Sequence, residues 1–131
     1  MADYTVVNFK SDVEDMAPKF GYSPDLESRF ARKNLELEKS GVSFFKIAPH
    51  FEIPFGHVHS EQEEVYVVVD GSARAKIGDE VIELHQWDAI RVAPGAWRGL
   101  AGGPDGAQVL AFGAPNNENS DIEMSQDFWD Q

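Results

Sequence analysis

The sequence predicts an all-β protein, and three observations carry that prediction. Short runs rich in β-branched and aromatic residues recur at positions 41–47, 64–69, 73–77, 81–84 and 109–112, the composition that fits a pleated, half-buried surface. Turn-forming residues punctuate these runs, among them Pro49, Gly78-Asp79-Glu80 and Pro94-Gly95. Gly78 can take the positive φ that a tight hairpin needs, and in Pro94-Gly95 the proline sets φ for one turn position and the glycine accepts positive φ at the next. The third observation is the short segment His57-Val58-His59. Side chains alternate on an extended chain, so both imidazoles share one face and Val58 points the other way.

A chain of 131 residues with 42% hydrophobic content is expected to form one domain with a real core and no need of staples. The balance of 23 acidic against 11 basic residues gives a formal charge of −12, which opposes nucleic-acid backbones and anionic membrane surfaces. Cysteine is absent, so disulfides and thiolate chemistry are excluded. The N-terminus lacks a basic start followed by an apolar core, and no run approaches the roughly 20 apolar residues of a membrane span. A cytoplasmic protein without nucleic-acid or membrane partners is the expectation.

Taken in order, residues 5–9 suit a short strand, and Ser11-Asp12-Val13-Glu14-Asp15 suits a capped helical turn with acids at its start. Between residues 23 and 38 two patterns compete. Ser23-Pro24-Asp25 reads as an N-cap with proline at the first helical position, whereas Arg29-Phe30-Ala31-Arg32 suits a strand. Residues 41–47 form the clearer strand, closed by Pro49. A polar turn over residues 60–63 leads into the run opened by Glu64. A hairpin follows, with residues 73–77 and 81–84 flanking Gly78-Asp79-Glu80. Residues 109–112 read as the last strand, and Pro115-Asn116-Asn117-Glu118-Asn119-Ser120 opens a polar tail that Phe128 and Trp129 would dock back.

If the turn brings Glu64 back across from the histidines, two imidazoles and a carboxylate converge, a donor set that suits first-row divalent metals. The spacing also resembles the first motif of the cupin superfamily: His57 and His59 two apart, four residues, Glu64, six residues, Gly71. The resemblance implies a cupin-type double-sheet jelly-roll β-barrel over residues 41–114, an N-terminal arm over 1–40 and a polar tail over 115–131. It implies a divalent transition metal (iron, zinc, nickel or manganese) held by His57, His59 and Glu64 in the barrel mouth. Small cupins commonly pass the arm to a partner subunit, so a homodimer is expected, with the arm either crossing over or covering its own barrel. Trp97 and the Phe-rich strand at 42–47 also motivate pairing.

The second cupin motif is eroded. Trp87 stands where the family has Gly, Ala93 where it has Pro, Arg98 where the fourth ligand His belongs and Gly102 where it has Asn; Gly95 matches. The first motif departs at one turn position, where Phe51 stands in place of Gly. Arginine neither ligates a metal nor loses its proton, and at about 5 Å with an effective dielectric near 20 it repels a divalent ion by roughly 7 kcal/mol.

Three readings stay open. In the first, the metal sits beside Glu64, and Arg98 and Tyr66 line a pocket for a small anionic ligand; an enzyme of this kind would be a metal-dependent oxygenase or isomerase. In the second, Arg98 pairs with Glu64 and the metal-free barrel binds a small acid or sugar. The third is a barrel with no ligand role. Tyr66 suits a core filler as well as a pocket wall. Trp97, next to Arg98, is expected on the opposite strand face, Trp87 in the core, and His50 and His85 in a loop and at a strand end outside the site. No G-x-S-x-G elbow or glycine-rich phosphate loop occurs, so hydrolase and nucleotide-binding readings have no anchor.

Overall fold

The structure is a computed structural model and describes residues 2–117 and 120–131. Among the described residues eight strands carry it: β1 (Leu26–Phe30), β2 (Gly41–Ile47), β3 (Phe55–His59), β4 (Glu63–Ile77), β5 (Glu80–Leu84), β6 (Ala89–Val92), β7 (Arg98–Ala114) and β8 (Ile122–Gln126). Two helical turns, α1 (Ala17–Phe20) and α2 (Arg32–Leu35), flank β1, and a 3₁₀ turn closes the chain at Phe128–Asp130.

The long strands β4 and β7 pair antiparallel along nearly their whole lengths, from Glu63↔Ala114 to Ile77↔Arg98. Register shifts between Val68 and Asp70 and between Gly71 and Ala73 bend this ribbon at its middle. Gly71 sits in the bend with φ 74°, and a side chain there would run into the carbonyl of Gly106. One half of the ribbon is flanked by β2, carrying β1, and by β6. The other half is flanked by β3, carrying β8, and by β5. Two antiparallel sheets thus share the bent ribbon and face each other. Tyr66, Val68 and Val109 point inward from the first half, Ala75 and Leu100 from the second, and all are buried. Each large apolar side chain so buried contributes about 1.5–3 kcal/mol.

The hairpin at Gly78 and the turn at Pro94-Gly95 form as expected, with φ 59° and 84° at the glycines. Elsewhere local signals lose to tertiary ones. Residues 5–9 form no strand; the chain turns at 9–12, where Phe9 packs on Phe44 with ring centroids 6.2 Å apart. The helical turn expected over 11–15 does not form, because the Asp15 carboxylate accepts N–H groups from Ala17 (3.0 Å) and Ser28 (2.9 Å) and Asp15 bridges to Arg29. Ser23-Pro24 caps no helix. Leu26 and Ser28, both buried, pair their strand with β2, and this outweighs the cap, so the sheet starts before residue 41. Nor do residues 109–112 form the last strand. They belong to β7, and β8 follows inside the stretch read as tail; of that polar run, Glu118 and Asn119 lie outside the described residues.

Phe128 does dock back, packed against Gly56, Gly99 and the Trp97 ring. The buried Lys76 ammonium donates to the carbonyls of Phe128 (2.5 Å) and Gln131 (3.0 Å) beneath it. Trp87 is not in the core: it is 69% exposed, at φ 70°. It occupies the turn before β6, and its left-handed backbone directs the ring outward. No helix among the described residues is long and apolar enough to cross a membrane.

Candidate metal centre

His57, His59 and Glu64 meet between the two sheets, with ligand atoms all within 4.8 Å of one another. They do not meet as a hairpin pair. β3 pairs with β7 and β8, in the second sheet, whereas Glu64 lies on the first half of β4, opposite Val92 and Gly113. The turn at residues 60–62 therefore carries the chain from one sheet to the other, and the histidines face the carboxylate across the barrel. Strand alternation still sets the faces: His57 and His59 look inward together, as do Glu64 and Tyr66.

One oxygen is the hub. Glu64 Oε1 accepts from Arg98 Nη1 (2.6 Å) and from the Tyr66 hydroxyl (2.8 Å), and lies 3.2 Å from His57 Nε2 and 3.7 Å from His59 Nε2. Burial works to raise the Glu64 pKa, but hydrogen bonds from His57 and Tyr66 and the charges of His57 and Arg98 outweigh it, and the carboxyl is held down to about 2. Burial, together with the neighbouring carboxylate, pushes the Tyr66 hydroxyl well above its usual range. Tyr66 therefore stays protonated and donates.

Arg98 is the most enclosed member, with 1% exposure. Besides Glu64, its guanidinium donates from Nε to the Ala96 carbonyl (3.0 Å) and from Nη2 to the Ala93 carbonyl (3.1 Å). Both acceptors flank the Pro94-Gly95 turn, and the Gly95 N–H in turn donates to the His59 carbonyl (2.7 Å). Arg98 and Tyr66, expected to line a ligand pocket, thus direct these hydrogen bonds into the cluster and the adjoining turn. Of the two imidazoles, His59 is sealed and His57 is 21% exposed at the side chain, so access lies on the His57 side. His50 and His85 are exposed and outside the cluster, as expected. Trp97, outward from Arg98, is covered by Phe128 rather than left to solvent.

A residue not singled out in the sequence completes the arrangement. Asp121, just before β8, accepts from His59 Nδ1 at Oδ1 (3.0 Å) and from the N–H groups of Glu61 (3.0 Å) and Gln62 (2.9 Å) at Oδ2. Burial acts to raise its pKa, but these three hydrogen bonds bring it down to about 2. The alternation in Ile122-Glu123-Met124-Ser125-Gln126 was the available sign of a strand here, but nothing local ties Asp121 to a histidine 62 positions away.

The donor set fits a divalent ion. Bonds of about 2.1 Å place ligand atoms about 3.0–3.5 Å apart around a metal, and two of the three pairs stand at 3.2 and 3.7 Å. With Nδ1 of His59 turned to a carboxylate, its Nε2 faces Glu64, the disposition that metal-binding histidines adopt.

In comparison with known proteins, the cupin domain family matches residues 43–111. No curated protein matches the chain in sequence. Among solved structures, a cupin protein from Bacteroides fragilis superposes with TM-score 0.71 at 23% identity, covering 89% of this chain and 88% of that one. A double-stranded β-helix protein from Klebsiella pneumoniae gives TM-score 0.71 at 21% identity over 92% and 96%. Streptomyces Pac13, described as a nucleoside dehydratase, gives 0.69 at 15% identity over 96% and 92%. At these identities the likeness is one of fold.

Proposed function

This chain belongs to the cupin family, and on that premise we propose that it binds one divalent transition metal through His57, His59 and Glu64. The observation that carries the reading is the convergence of the three ligand atoms from two facing sheets, with His59 already turned so that Nε2 points to Glu64. Glu64 needs no deprotonation near neutrality. A bound ion would supply Lewis acidity and a point of attachment for a small oxygen-bearing molecule. Arg98 compensates the carboxylate and fixes it. Because its hydrogen bonds go to Glu64, Ala96 and Ala93, we assign it to orienting the ligand oxygen rather than to clamping a bound anion. Tyr66 does the same from the other side. A molecule would enter beside His57, the least enclosed of the group. The fold itself selects no reaction.

The 2.6 Å contact between Arg98 and Glu64 favours a second reading, a metal-free barrel that binds a small acid or sugar. Calorimetric titration of tag-free, chelator-stripped protein with zinc, nickel, manganese and ferrous ions separates the two. One ion per chain, lost in Glu64→Gln, supports the metal site; no binding at millimolar metal sinks it and leaves the metal-free barrel.

We also propose that two copies pair. What supports this is an outward row, Val42, Phe112 and Val65, registered across β2, β7 and β4, with Phe112 44% exposed. Light scattering that finds only monomer at micromolar concentration contradicts it.

A further inference from the structure

We propose that Asp121 is the positioning residue of the cluster: its carboxylate fixes the proton of His59 on Nδ1, so that Nε2 is left as a lone pair facing Glu64. This rests on the metal reading above but makes a claim about the apo protein as well.

The argument starts from hydrogen-bond capacity. A neutral imidazole has one N–H and one acceptor nitrogen, and its surroundings decide which is which. A carboxylate only accepts, so His59 Nδ1, at 3.0 Å from Asp121 Oδ1, must be the donor. His59 Nε2 stands 3.7 Å from Glu64 Oε1, too far for a hydrogen bond, so that nitrogen has no need of a proton. His57 differs: its Nε2 is 3.2 Å from the same oxygen and can donate to it. The two histidines of one motif are thus prepared differently, and the difference comes from a residue outside the motif.

Asp121 is itself held in place. Its second oxygen takes the N–H groups of Glu61 and Gln62, and its own carbonyl accepts the Ser60 N–H at 3.0 Å. Ile122 pairs with His59 in the β3–β8 register. The side chain is 5% exposed, so water does not compete freely for His59. The C-terminal strand therefore braces the turn between the two sheets and sets the tautomer of a ligand in the same contact.

Asp121→Asn gives an opposite prediction for tautomer and for turn. An asparagine has a single acceptor oxygen. The two backbone N–H groups of Glu61 and Gln62 claim it, which turns the amide NH₂ toward His59; Nδ1 must then accept, and the proton moves to Nε2. The turn is kept while the tautomer is reversed, which a purely structural brace would not do.

The test is long-range proton–nitrogen correlation on the histidine rings of the apo protein, followed by zinc titration of both forms. The native protein is expected to show His59 with the proton on Nδ1, and Asp121→Asn with the proton on Nε2 and zinc affinity lower by about 10- to 100-fold. A native His59 protonated on Nε2 overturns the proposal without any variant, so a misfolded substitution does not leave it open. A folded Asp121→Asn that keeps both tautomer and affinity also overturns it, since Asp121 would then be only a brace. Native protein that binds no zinc refutes the metal reading alone; the tautomer pair still decides the role of Asp121.

Discussion

Residues 54–71 and residues 87–102 both reach the cluster, but the first stretch brings side chains and the second brings mainly backbone. From the first come the two imidazoles, the carboxylate and the Tyr66 hydroxyl. The second contributes the carbonyls of Ala93 and Ala96, the Gly95 N–H and one cation, Arg98. At one position where its residues depart from the cupin motif, the backbone still takes an angle that glycine favours: Trp87 holds φ 70° where the motif has glycine. Conformation at a turn and chemistry at a ligand position are therefore separable properties of the same motif. The positive charge at residue 98 stands where a fourth donor would, and the turn that carries it is intact.

The largest test of this contrast is Arg98→Ala. It leaves the Glu64 carboxylate without its buried cation and should cost about 3–5 kcal/mol, read by chemical denaturation; a loss under about 1 kcal/mol would mean that the two stretches are not coupled through this pair. Acid should act on the same carboxylate, whose charge is favoured first by His57, then by Tyr66 and Arg98. The Glu64 carboxyl sits at about 2 in the folded protein against 4.5 for an unperturbed glutamate. Its contribution, about 3 kcal/mol, is therefore complete above pH ~4.5 and disappears as pH falls toward ~2. Stability measured across this window should fall steeply in the native protein and less steeply in Glu64→Gln.

Arg98→His sharpens the comparison by restoring a donor where the second stretch lacks one. Removal of the positive charge and addition of an imidazole should raise zinc affinity at least about tenfold, or about 1.4 kcal/mol, by calorimetry. Unchanged affinity would show that residue 98 has no bearing on the metal. The smallest effect is expected at Trp87→Gly. The ring is exposed, and relief of the left-handed backbone should stabilise the fold by about 1 kcal/mol, seen as a raised denaturation midpoint; destabilisation would mean that the ring has a packing role.

What was legible in the sequence follows the range of the interaction that decides it. The 41–47 strand, the Gly78 hairpin and the inward pairing of His57 with His59 depend on residues within a few positions, and all are present. β1 was half visible: Arg29-Phe30-Ala31-Arg32 suited a strand and overlaps it at Arg29 and Phe30, but Ser23-Pro24 imitates a cap, and the inward pair Leu26 and Ser28 shows its value only against β2. β8 was hidden in a polar tail whose alternation is weak. At the site, the residue types were readable but their arrangement was not: Glu64 faces the histidines from another sheet, Arg98 divides its donors between Glu64 and two turn carbonyls, and Asp121 arrives from the turn before β8, beyond both motifs. Period-two patterning identifies a face of a strand and says nothing of which distant strand will be opposite.

The shared β4–β7 ribbon also dictates a time order. Gly41 pairs with Gly113 and Phe55 with Gln126, so closing either sheet means closing long loops before their contacts repay the lost chain entropy. Such topologies fold in about milliseconds to seconds rather than microseconds. Through most of that search His57 and Glu64 are tethered only by a short turn, and Arg98 and Asp121 are elsewhere; the carboxylate has no cation and the imidazole no brace. The site is therefore expected to be completed late in folding, and an ion captured early by the tethered histidines would meet a partly built cage.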